Sequence, residues 1–126
     1  ERQKYRHQKK MRELDKSIGS TVAELKRSGH WERTLIMTTS EFGRRPLENR
    51  SRGTDHGTAA PHFLIGGKIK GGIWGDMIDL ASLDRNGDLK HSMDYRAVYD
   101  AVIKKWFHVN SRFSDFRDHR LQNIIS

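Results

Sequence analysis

The residues best placed to do chemistry fall in one stretch, "TTSEFGRRPLENRSRGTDHG" (38–57). It offers a carboxylate at Glu41, an adjacent Asp55–His56 pair, and arginines at 44, 45, 50 and 52. Carboxylate plus imidazole suits a divalent metal such as Zn²⁺, and the same groups serve as general acid and base. Arginine forks match the oxygens of phosphate or sulfate, and Arg44 lies nearest to Glu41. A structural reading fits the same residues. An Asp-His pair in a glycine-rich loop hydrogen-bonds that loop to itself, and the arginines of a polar loop serve as solvated charge. Residue types and spacing leave both readings open.

Other motifs carry less. "DRNGD" (84–88) places its glycine fourth, where a calcium-binding EF-hand loop needs it sixth, so it reads as a turn. "GGKIKGGIWG" (66–75) lacks the Gly-Lys-Ser/Thr of a phosphate-binding loop. Trp31, Trp74 and Trp106 read as packing anchors.

These residues need elements to position them. Met11, Leu14, Ile18, Val22 and Leu25 recur every three or four residues, which predicts a helix that Gly29 ends. "RTLIMTT" (33–39) predicts a short strand buried on both faces, as in parallel sheets, and "HFLIGG" (62–67) predicts a second. Residues 40–61 between them carry no periodicity and read as one long loop, a length that is often functional. Glu41 then sits just past the carboxyl end of the first strand, where open α/β sheets gather ligands. Ser92 is the expected cap of a second helix, with Asp94 in its first turn and Tyr95, Val98, Val102 and Trp106 on its buried face. Helix and buried strand in this order predict an α/β fold with a mainly parallel sheet.

The 126 residues are one domain by length, with 34% hydrophobic and 32% charged residues, so the core must be economical. Without cysteine there are no disulfides and no thiolate chemistry. No apolar run reaches the roughly 18 residues of a membrane span. The net charge is +8, but residues 1–12 hold six Lys or Arg against one Glu, +5 of that total. The basicity is therefore a local N-terminal arm (1–12), a weak argument for nucleic-acid binding.

Four ordered blocks, "TLIMTTSEFGRRP", "GTDHG", "FLIGGKIKGGIWGD" and "DYRAVYDAVIKKWF", resemble the C-terminal part of an uncharacterised bacterial domain-of-unknown-function family. That family is abundant in planctomycetes and is grouped with the alkaline phosphatase and sulfatase superfamily. The resemblance runs from about Leu14 to the end of the chain. It implies that residues 13–126 are part of an alkaline-phosphatase-like α/β/α sandwich, in a protein of the exported kind. In that superfamily a strand ending in Thr-x-Asp-His-Gly supplies metal ligands, and a later histidine supplies another. Here Thr39-Ser40-Glu41-Phe42-Gly43 stands at the first motif, with Glu41 for the aspartate and Phe42, which cannot ligate, for the histidine. His56 matches the later histidine, and Asp55 is its neighbour. The superfamily's nucleophile lies well upstream, in a region with no counterpart here.

The resulting expectation is the C-terminal section of a longer, metal-dependent hydrolase of phosphate or sulfate esters, inactive alone. Glu41, His56 and Asp55 are its expected metal ligands, Arg44 holds the anionic ester, and the rest of the longer protein is the expected partner. The alternatives are a non-catalytic module that keeps the fold, and a basic nucleic-acid-binding protein.

Overall fold

The computed structural model describes residues 3–126, so the first two residues of the basic arm lie outside it. Helix α1 runs Gln3–Arg27 and contains no buried residue. Its end is well made. Gly29 takes φ +72°, His30 N donates to the Leu25 carbonyl and Gly29 N to that of Lys26, closing the last turn around a left-handed glycine. Lys26 and Arg27 in that turn suit the negative end of the helix dipole.

After a 3₁₀ turn at Trp31–Arg33 come four short strands: β1 (Leu35–Met37), β2 (Gly43–Glu48), β3 (Thr54–Gly57) and β4 (Leu64–Gly66). β1 pairs antiparallel with β4, Leu35 opposite Gly66 and Met37 opposite Leu64. β2 and β3 form a separate antiparallel hairpin. The expected α/β/α sandwich with a mainly parallel sheet is therefore wrong: the described residues hold two two-stranded antiparallel sheets and two α-helices. The physical reason lies between β1 and β4. Parallel neighbours need a crossover, usually a helix, and residues 38–63 instead fold into a hairpin that brings the chain back antiparallel. Nor is β1 buried on both faces; all three of its residues are half-buried.

Helix α2 spans Tyr95–Lys105. Its cap is Asp94, whose carboxylate accepts from the Arg96 backbone N–H at 2.8 Å, while Ser92 Oγ instead accepts from Asp76 N. Ala97, Asp100, Ala101 and Val102 are its buried residues, and Tyr95, expected inside, is 59% exposed. The core joins Ala97, Ala101 and Val102 to Leu121, Ile124 and Ile125 of the C-terminal segment. Leu35, Met37, Leu64, Ile69, Trp74 and Trp106 pack around it, so two of the three tryptophans are the packing anchors expected. A bridge between Ile69 and Ile125 ties the C-terminal segment beside the β1–β4 ladder.

The turn at 84–88 forms as read from its Asn-Gly pair. Asp84 accepts from Asn86 N and Asp88 N, and Gly87 adopts φ +80°. Those backbone donors, Asp88 N first, hold the Asp84 carboxyl below its ordinary range.

Candidate functional site

The stretch 38–57 is a built structure rather than a loop. Past Met37 the ladder continues at Thr38, whose N–H donates to the Phe63 carbonyl while its Oγ1 accepts from Phe63 N at 2.7 Å. The chain then turns into β2 at Gly43, which is buried against the backbone of Ala59 so closely that a Cβ would collide with its carbonyl. Across the hairpin Gly43 faces Gly57, and Arg44 faces His56. The register then slips, so that Glu48 faces Thr54 and residues 45–47, with Pro46 at their centre, stand against Asp55 alone.

This register decides which candidates meet. His56 and Arg44 are direct cross-strand partners, and Phe42 stacks on the His56 ring with centroids 3.6 Å apart and planes 15° from parallel. The Arg44 guanidinium lies 5.6 Å from the Phe42 ring and donates to the Thr54 carbonyl at 2.8 Å. Phe42, Arg44 and His56 thus form one exposed cluster, with Glu41 exposed at its margin.

Asp55 does not join it. Side chains alternate along a strand, and Asp55 accepts instead from Asn49 Nδ2 at 2.8 Å. Asn49 in turn accepts from the backbone N–H groups of Ser51 and Gly53, which ties Asp55 into the hairpin loop. Among the described residues no three His, Cys, Asp or Glu side chains cluster as a metal centre. The donor chemistry of Glu41 and His56 fits zinc, but two donors are fewer than the three protein ligands of a catalytic zinc site.

Two arrangements escaped the sequence reading. Phe42 was legible only as a residue that cannot ligate, although its alternation with Arg44 across Gly43 places both beside His56. Arg45, grouped with the solvent-facing arginines, binds the buried Asp88 carboxylate with Nε 3.0 Å from Oδ1. Thr58 Oγ1 donates to the Leu89 carbonyl at 2.7 Å. Together these contacts fasten the hairpin to the 84–88 turn. Nothing local in either sequence segment signals a partnership across 43 positions.

Among the described residues no helix is long and apolar enough to cross a membrane. No curated protein and no solved structure matches the chain. Residues 1–117 match the model of a family described as "Protein of unknown function (DUF1501)", and the chain, in keeping with its resemblance to an uncharacterised family, belongs to it.

Proposed function

We propose that the chain is the anion-handling section of a phosphate- or sulfate-ester hydrolase, completed by polypeptide outside these residues. The observation that carries this reading is the hairpin register that sets His56 opposite Arg44 on an exposed face. An arginine fork beside an imidazole supplies charge and hydrogen-bond donors to a tetrahedral oxyanion. The contact to Thr54 orients the Arg44 guanidinium, and the Phe42 stack holds the His56 ring in place. Glu41 and His56 are the residues that would hold a divalent ion, with its remaining donors coming from elsewhere. Such an ion supplies Lewis-acid stabilisation of the developing charge.

The hydrophobic surface supports the need for completion. Helix α1 contains no fully buried residue, and Leu47, Phe63, Ile73, Met77 and Leu80 are all exposed.

The test is hydrolysis of aryl phosphate and aryl sulfate by the complete protein, with metal content measured by mass spectrometry. His56→Ala and Arg44→Ala should each lower kcat/KM by at least about a hundredfold, the range for losing a group that stabilises the oxyanion. Asp55→Ala should leave metal content and kcat unchanged. Full activity in both His56→Ala and Arg44→Ala would replace this reading with that of a non-catalytic binding module. The stack of Phe42 against the imidazole is the feature favouring that second reading, since it covers one face of the ring.

A further inference from the structure

A second concentration of positive charge lies at the other end of the β1–β4 ladder. Arg33 precedes β1 and Lys68 follows β4, whereas residues 38–57 continue from the far end of β1. A groove of about 300 Å³ opens there between Arg33, Lys68, Lys105, Trp106 and His108, with Glu32 on its wall. That volume is at the lower limit of small-ligand sites.

The walls come from three separate elements that the fold fastens together. Lys68 is held by the C-terminal segment, since Ser126 N donates to the Lys68 carbonyl at 2.9 Å and Lys70 N donates to the Ile124 carbonyl at 2.9 Å. Gly67 N donates to the Trp31 carbonyl, joining the same turn to the 3₁₀ segment that carries Arg33. Trp106 packs on the core. His108 closes the end of α2 in the left-handed region, φ +56°, where glycine is favoured.

Among the described residues some cations of the folded body are paired with a carboxylate and others, such as Arg44, Lys70 and Arg117, are not. Arg45, Arg96, Lys104 and Arg120 each have a carboxylate partner. Among the described residues none of Arg33, Lys68 and Lys105 takes part in an ion pair. Glu32, the one acidic side chain on the groove wall, lies against Gly67. Three cations against the single Glu32 carboxylate leave the groove with an excess of positive charge, which raises the local concentration of anions. Lys105 also stands at the negative end of α2, so its charge offsets the helix dipole that would otherwise oppose an anion there.

We infer that this groove binds a tetrahedral oxyanion, a phosphate or sulfate group borne by a small molecule, between Arg33, Lys68 and Lys105. The site stands apart from the hairpin cluster and does not depend on the reading proposed for it. The experiment is a titration of the full chain with inorganic phosphate and with sulfate, followed by NMR at the Trp106 indole and the Lys68 and Lys105 amides. Sodium chloride at matched ionic strength runs in parallel.

The expected result is saturable shifts with one or both oxyanions and none with chloride. Binding should weaken at least about tenfold in Lys68→Ala and in Lys105→Ala, the factor for losing one charge-assisted hydrogen bond. Lys68→Arg should retain binding, and Arg44→Ala should leave it unchanged, which separates this groove from the hairpin. Shifts that track ionic strength with chloride, or that persist undiminished in both alanine variants, would overturn the inference.

Discussion

A Cβ placed on Gly43 would run into the backbone carbonyl of Ala59, and one on Gly57 would lie 2.8 Å from the Arg44 carbonyl carbon. The two glycines face each other across the hairpin at the step that leads to the Arg44–His56 pair. Backbone cannot retreat as a flexible side chain can, so the collision at Gly43 has no inexpensive relief. Gly43→Ala should therefore destabilise the fold by about 2–3 kcal/mol, the upper range for overpacking, as measured by urea denaturation. It should also break the Phe42–His56 stack, visible as a shift of the His56 ring resonances. A variant as stable as wild type would show that the close approach to Ala59 is not needed. The same scale explains the fate of the Asp55–His56 pair. One residue along a strand reverses the side chain, so neighbours in sequence serve different tasks: His56 faces Phe42, and Asp55 braces Asn49. The chemistry of these residues was legible in the sequence, but their partition was not, because it depends on a pairing register that no single residue type encodes.

Helix α2 shows what one element requires at its start. Asp94 caps it through the Arg96 backbone N–H and binds the Arg96 guanidinium, with Nη2 2.6 Å from Oδ2. The guanidinium in turn lies 3.5 Å from the centre of the Phe116 ring, which joins the cap to the C-terminal segment. Asp118 repeats the arrangement with Arg120, which also reaches Asp76 and the Ser92 carbonyl. The Arg96 guanidinium, and then the Arg96 backbone N–H, hold the Asp94 carboxyl down to about 2 against partial desolvation. Arg120 likewise lowers Asp118. A carboxyl whose folded pKa is depressed stabilises the fold above its ordinary pKa and loses that contribution as pH falls through the folded value. Stability should therefore decline between about pH 4 and pH 2. Asp94→Asn keeps a good cap but removes the ion pair and the titration. It should cost about 1 kcal/mol at neutral pH, within the range of exposed to partly buried pairs, and flatten the acid limb in denaturation series at successive pH values. An unchanged acid limb would assign it to other carboxylates. Sequence periodicity found this helix and placed Val98, Val102 and Trp106 on its core-facing side, but chose Tyr95 where Ala97 is buried. Large apolar residues dominate such a pattern, whereas the close approach of the C-terminal segment selects small ones.

The whole molecule has a small interior and much apolar surface outside it. Among the described residues six hydrophobic side chains are buried, while Ile73 and Met77 are each more than 80% exposed and Leu47 and Phe107 more than 60%. Helix α1 is about 37 Å long at 1.5 Å per residue and has contacts with the body at both ends. Gln3 Nε2 donates to Thr54 Oγ1, and Lys26 lies over the Trp31 ring. Between them Met11 and Leu14 are each 41% exposed. Burial of such surface is favourable in proportion to its area, about 25 cal/mol per Å². The isolated chain should therefore associate as its concentration rises, with sedimentation velocity showing a growing average mass. A single monomeric boundary at high concentration would show that these faces need no cover.

The sequence by itself determined what short-range physics controls. It specified the 3.6-residue period of α1 and its glycine stop, the Asn-Gly turn at 84–88, and the carboxylate, imidazole and guanidinium chemistry of residues 38–57. Only the tertiary structure decided that β1 and β4 run antiparallel, that Arg44 faces His56 while Asp55 turns away, and that Arg45 reaches Asp88. Each of these is a contact between distant positions whose free energy comes from mutual burial and pairing, so neither partner carries the signal alone.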